Sequence, residues 1–347
     1  MDAALLLLTE RVPALAVPCR IHPDARRIGE ATRAWARTRG LILSDPGGAR
    51  QGRGCFVATR IFPEAPIPRV VLFAKWLTWL FAFDDVRDEG ELGRSATAID
   101  ALYSDLLKAV RRGSARPGAG PLEAALADLW QQTAPTMGSE WRRRFITHLA
   151  WHRDGCLEEA VIRRTGSIPA LRDYPPLRRR TNGPFMFDLA EPALGTEIPE
   201  ALAGFRTWQT LVDGIGDLTA WCHDVASCTL DKPGGDSCNY IIVASRSLAL
   251  DPLAAVGWVN DQITLRSHDV QAAAKSLPAE FARLKLDPPT VRAVSELACV
   301  LLAAPRAHLD WLLEHGSHRP EPVDGTVPTQ RPSPPAAPLR NKIRQRK

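Results

Sequence analysis

The 347-residue chain predicts an all-α fold in a single domain, and three observations carry that reading. Long stretches suit helices, Gly and Pro fall between those stretches, and alternating strand patterns around a tight turn are scarce. No internal repeat is visible. Residues 1–17 read as a loose N-terminal segment. Helix starts after Asp24, because Ala25 to Arg39 mixes Ala, Arg and Trp with no β-branched run. Gly47-Gly48 breaks the chain before a helix at 66–90. Helices at 95–112 and 121–133 are parted by Arg116-Pro-Gly-Ala-Gly-Pro121. A helix at 138–163 is followed by breaks at Pro175-Pro176 and Asn182-Gly183-Pro184. Helices at 198–230 and 236–249 flank Pro233-Gly-Gly235, and three more lie at 252–275, 279–285 and 289–314. These ten helices place one α domain at 18–318, with a tail at 319–347.

Hydrophobic residues make up 45% of the chain, ordinary for a globular core. The net charge of +5 comes from the tail, where residues 319–347 hold seven basic and two acidic side chains. The rest is balanced, so the body has no overall charge drawing it to nucleic acid or to a membrane. The tail is Pro-rich, basic and poor in apolar residues, and reads as a disordered, solvated extension. Seven cysteines at irregular positions fit reduced thiols rather than a disulfide framework. The Cys222, Cys228, Cys238 gaps do not match zinc-site spacings. The N-terminus lacks a basic start and its apolar run is too short for a secretory signal. Val70–Phe83 carries Lys75 and is too short to span a bilayer. A cytoplasmic protein is the expectation.

An acidic cluster, Asp84-Asp85-Val86-Arg87-Asp88-Glu89, ends the apolar Val70–Phe83 segment. Unpaired carboxylates at the end of a buried helix are costly, and a divalent cation holds several of them together. Asp84 and Asp88 are four residues apart, so on a helix they share a face, about 40° apart. Asp85 points about 100° away. Hard oxygen ligands presented singly suit Mg²⁺ bound to a phosphate. Asp84 and Asp88 are therefore the first candidate metal ligands, at the mouth of a greasy helical pocket.

A second polar stripe lies at His223, Ser227 and Asp231, spaced i, i+4, i+8 after an apolar helix. On a helix it runs about 12 Å along one face. Between the two clusters stand Arg178, Arg179 and Arg180, followed by the Thr181-Asn182-Gly183-Pro184 break. Arginine forks suit phosphate oxygens, and a helix break exposes backbone groups that orient a substrate. Phe81, Phe83, Trp76, Phe187, Trp221 and Trp311 are aromatic candidates for the pocket. Phe81, one turn before Asp84, and Phe187, just past the break, are favoured. His148 and His152 share a helical face but lack the Glu of a zinc protease helix, and read as structural.

In this order and spacing the motifs resemble those of bacterial class I terpene synthases, the single-domain terpenoid cyclases. The likeness covers roughly residues 18–316. Weaker similarities lie at Arg60–Pro66, Trp76–Phe81, Gly235–Asn239 and Leu309–Trp311. The resemblance implies a helical bundle around a central apolar cavity, binding three Mg²⁺ ions, with Mn²⁺ the alternative, and an acyclic isoprenyl diphosphate. It implies a carbon–oxygen lyase that expels diphosphate and cyclises the allylic cation to a terpene hydrocarbon or alcohol. Farnesyl diphosphate ranks first as substrate. Metal ligands would be Asp84, Asp88, His223, Ser227 and Asp231. Diphosphate would meet Arg178, Arg179, Lys232 and Arg319. Arg178, Asn182, Phe81 and Phe187 would serve catalysis. A homodimer is compatible with the resemblance, and no nucleic-acid partner is expected.

Three positions depart from the family pattern. His223 stands where Asn or Asp is usual, and imidazole favours Mn²⁺ or Zn²⁺ over Mg²⁺. Leu230 replaces a basic residue, and Ser317-His318 replaces an Arg-Tyr pair. Weakened Mg²⁺ affinity is expected from these. The rival readings are a chain-elongating prenyltransferase, which would want a second Asp-rich motif, and a non-catalytic helical protein that binds a prenyl diphosphate or a partner.

Overall fold

The fold is built from helices whose apolar faces converge, as the sequence patterning predicts. The structure is a computed structural model that describes residues 2–41, 53–88, 91–228 and 237–315. Its helices are α1 Asp2–Arg11, α2 Ala25–Thr38, α3 Arg53–Ile61, α4 Ile67–Asp88 and α5 Ala96–Arg112. They continue with α6 Pro121–Thr133, α7 Ser139–Thr165, α8 Tyr174–Thr181, α9 Phe185–Asp188 and α10 Ala190–Leu194. The last are α11 Glu200–Ala203, α12 Arg206–Ser227, α13 Tyr240–Leu248, α14 Pro252–Arg283 and α15 Pro288–His315. No strand occurs among the described residues.

The structure corrects several expectations. The N-terminal residues are not loose: α1 and the turn after it bury Leu5, Leu8, Val12 and Leu15 against the body. The short Leu run that looks idle in sequence is a packing face. Helix α3 is absent from the sequence reading, and α8 forms where the Pro pair predicts a break. Pro175 and Pro176 open α8 rather than stop a helix, because the first turn has no use for their missing N–H groups. The expected helix at 198–230 is divided at Gly204-Phe205 into α11 and α12. The two expected at 252–275 and 279–285 are one, α14, running through Pro278. Burial of Leu277 and Phe281 on either side holds that helix on course despite the hydrogen bond lost at proline. The tail at 319–347 lies outside the described residues.

Helix α4 has two apolar faces, and that division organises the core. Trp76, Trp79 and Phe83 face one way and are fully enclosed. Their rings meet Phe145, Phe185 and Tyr103 at centroid distances of 5.3, 6.1 and 5.2 Å respectively. Such edge-to-face pairs pack large area rigidly. Phe73, Leu77, Leu80 and Phe81 face the other way and line a cavity. Trp76 and Phe83 therefore belong to packing, not to the pocket.

Candidate active site

The cavity lies among α3, α4, the α8–α10 corner, α12 and α15, with about 670 Å³ of empty space counting the mouth that opens to solvent. Fifteen residues line it, and only Asn182, Thr219 and His308 are polar. Phe81 and Phe187 both line it, as expected from the sequence, but Trp221 and Trp311 do not. Trp221 packs on Tyr240 at 5.0 Å, and Trp311 packs on His308 at 5.8 Å between ring centroids.

Two helices carry the cavity wall out to the polar clusters. On α4, the stripe through Leu77, Leu80 and Phe81 continues at about 100° per residue to Asp84. On α12, Thr219 lines the cavity, and His223 and Ser227 follow one and two turns later on the same face. Both polar patches stand at the C-terminal ends of their helices. The helix dipole there is negative, so carboxylates are disfavoured and cations favoured. The donor set suits a divalent ion: a carboxylate, a hydroxyl and an imidazole, all half-buried. Among the described residues no three His, Cys, Asp or Glu side chains converge as a metal cluster. The Asp88 side chain lies outside that set, as do Asp231, Lys232 and Arg319.

Helix α8 delivers Arg178 between the patches. Arg178 Nε donates to Asp224 Oδ1 at 2.9 Å, and Tyr174 Oη donates to Asp224 Oδ2 at 2.6 Å. Asp224 also accepts the Tyr240 backbone N–H at 3.3 Å. Burial, the largest single influence, disfavours the Arg178 charge, but Asp224, Tyr174 and Glu159 together raise the guanidinium pKa above its ordinary value. Across the mouth, Arg87 Nη2 stands 3.5 Å from Asp84 Oδ1, and its Nη1 stands 3.2 Å from Glu159 Oε2. Glu159 also acts on Arg178. A relay of alternating charge thus joins the α4 end to the α8–α12 side. Sequence patterning gives Asp224, Glu159 and Arg87 no role in the site. Asp224 sits about 100° off the His223–Ser227 stripe, so periodicity passes it over.

The other two arginines are turned away. Arg179 donates through Nε and Nη2 to the two carboxylate oxygens of Asp217 at 3.0 and 2.7 Å, and through Nη1 to Asp213 at 3.1 Å. Its fork, expected from the sequence to meet diphosphate, here binds two carboxylates of α12. Arg180 pairs with Glu158 at 2.6 Å on the surface.

The break after α8 has a physical cause at Gly183, whose φ is +67°. A Cβ there would come within 2.9 Å of Leu80 Cδ2 in the cavity wall. Glycine adopts this turn without strain and lets the chain approach α4 so closely. Asn182 Nδ2 donates to the Gly216 carbonyl at 3.1 Å, pinning the break to α12. His152 and His148 are structural: their Nδ1 atoms meet Tyr103 Oη and Asp188 Oδ2, each at 2.7 Å.

Comparison with known proteins agrees with this geometry. The model of terpene synthase family 2, C-terminal metal binding, matches residues 75–269, from α4 into α14. The chain belongs to the bacterial class I terpene synthases. It is 32% identical over 261 residues to a (-)-delta-cadinene synthase of Streptomyces clavuligerus, covering 74% of this chain and 79% of that one. It is 29% identical over 299 residues to a (-)-beta-caryophyllene synthase of Saccharothrix espanaensis, covering 85% and 84%. The fold matches the crystal structure of germacradien-4-ol synthase from Streptomyces citricolor with a TM-score of 0.74, at 21% identity, covering 86% of this chain and 96% of that one. Among the described residues, no single helix is long and apolar enough to cross a membrane.

Proposed function

We propose that this terpene cyclase ionises farnesyl diphosphate and closes the resulting cation in the cavity, releasing diphosphate as a carbon–oxygen lyase. The observation that carries the reading is the shared geometry of α4 and α12: each lines an oily cavity along one stripe and ends that stripe in metal-type donors. Asp84 and Asp88 on one side, and His223, Ser227 and Asp231 on the other, are the residues that would hold Mg²⁺, three ions by family resemblance. When bound, the ions neutralise the diphosphate and make it a better leaving group. Farnesyl diphosphate is favoured because the caryophyllene synthase relative is named as cyclising that compound.

The chain's own residues do the rest. Arg178, held by Asp224, offers a fixed cation to the leaving oxygens. The α8–α9 break sets Asn182 in the cavity wall beside Phe187, near the region where positive charge develops. Phe81 and Phe187 present ring faces whose quadrupole stabilises that charge. The aliphatic wall of Leu77, Leu80 and Leu301 shapes the chain without reacting with it.

Incubation with geranyl, farnesyl and geranylgeranyl diphosphates and Mg²⁺ tests this, with diphosphate release and product analysis side by side. Cyclic product from the farnesyl substrate is expected. A longer diphosphate would indicate a prenyltransferase, and unchanged substrate would indicate a binder. The imidazole at His223 gives Mn²⁺ a specific claim as the working ion, which substitution of the metal in the same assay resolves.

A further inference from the structure

Three polar groups of the cavity wall keep an unused capacity to accept hydrogen bonds. Asn182 donates its amide to Gly216 O at 3.1 Å, and Thr219 donates its hydroxyl to Ile215 O at 2.9 Å. Each therefore keeps an oxygen that accepts. His308 is 9% exposed, and its Nε2 is buried with no hydrogen-bond partner among the described residues. A neutral imidazole carries one donor and one acceptor nitrogen, so this ring can hold a small polar molecule. The other twelve lining residues are apolar. All three line the same cavity beside α12. Asn182 is pinned at Gly216, Thr219 lies one turn on, and the His308 ring stands 5.5 Å from that of His223, a further turn on. The α12 positions they touch or occupy, Gly216, Thr219 and His223, form one stripe spanning about 10 Å. Burying a polar group without a partner is unfavourable, and a water bridging two to four polar atoms is the usual remedy.

We infer that this stripe holds a water molecule against the cyclised cation and that the enzyme makes a terpene alcohol. The inference rests on the cyclase reading above and commits it to one product class. A lone pair of the water oxygen forms the new C–O bond to the cationic carbon. One O–H bond of the resulting oxonium breaks, and its proton passes to the diphosphate already expelled. No oxidant or reductant is consumed.

The test is turnover of farnesyl diphosphate in heavy-oxygen water, with mass-spectrometric analysis of products and a parallel assay of released diphosphate. The expected result is a cyclic alcohol carrying the heavy oxygen. Thr219→Val and His308→Leu should each lower the ratio of alcohol to hydrocarbon about tenfold, the effect of one lost hydrogen bond to the attacking water. That ratio is read only from folded, active enzyme, and the wild-type labelling stands even if a variant fails to fold. Cyclic hydrocarbon alone, with diphosphate released, overturns the hydration site and leaves the cyclase reading intact. An alcohol whose proportion is unmoved in both variants overturns the assignment to this stripe. No diphosphate release from any substrate overturns both.

Discussion

Asp84 is the residue on which the proposed chemistry turns. Its side chain is 29% exposed, on the cavity stripe of α4, 3.5 Å from Arg87. Asp84→Asn keeps the shape and removes the charge. Loss of groups that only orient metal ligands costs roughly 10–100-fold, so kcat/KM should fall at least about a hundredfold, as steady-state diphosphate release would show. His223→Asn should lower the Mg²⁺ concentration needed for half-maximal rate, because amide oxygen is a harder ligand than imidazole. A metal titration unchanged by that substitution would count against His223 as a ligand. Asp224 has a different weight. It is 2% exposed and carries the Arg178 guanidinium, so Asp224→Asn leaves a buried cation without its counter-ion. Such losses destabilise by about 3 kcal/mol or more, readable in chemical unfolding. The two carboxylates thus separate: Asp84→Asn should lower the rate while sparing stability, and Asp224→Asn should lower both.

The working unit at the scale of elements is the α8–α9 corner packed on α4 and α12. Gly183→Ala would meet Leu80 at 2.9 Å in a backbone conformation with φ +67°. Strain of that kind costs about 1–3 kcal/mol, and thermal unfolding should show it. Because Leu80, Asn182 and Phe187 share the same cavity wall, product distribution should shift as well. A variant that loses stability with unchanged products would show that the corner only packs. The prolines at 175 and 176 also show how context sets meaning. Read alone they stop helices, yet here they start one, because the preceding chain has already turned at Asp173.

The whole molecule is held by a core with buried titratable groups, and its acid sensitivity follows. His152 is fully enclosed against Tyr103, Phe83 and Phe185. Burial is the largest cause of its pKa falling from 6.5 to about 4, with Asp84 and Glu159 opposing and Arg87 assisting. Between those values the unfolded chain binds more protons than the folded one, so stability rises with pH there. This contribution is full above about pH 6.5 and is lost as pH falls through about 4, by about 3 kcal/mol for this group alone. Unfolding curves measured across that range check it. A stability independent of pH there would mean that His152 is not neutral in the fold.

Sequence by itself determined the helical class, the break at Gly183 and the two aromatic residues of the wall. It could do so because these depend on spacing along one helix or on the chemistry of a single residue. Only the tertiary structure decided which face of α4 meets the cavity, that Arg179 is spent on Asp217, and that α1 packs into the body. It alone brought His308 of α15 to the same wall as Asn182 and Thr219. Each of these is a contact between segments far apart in the chain, and no periodicity within one helix records which other helix will cover it.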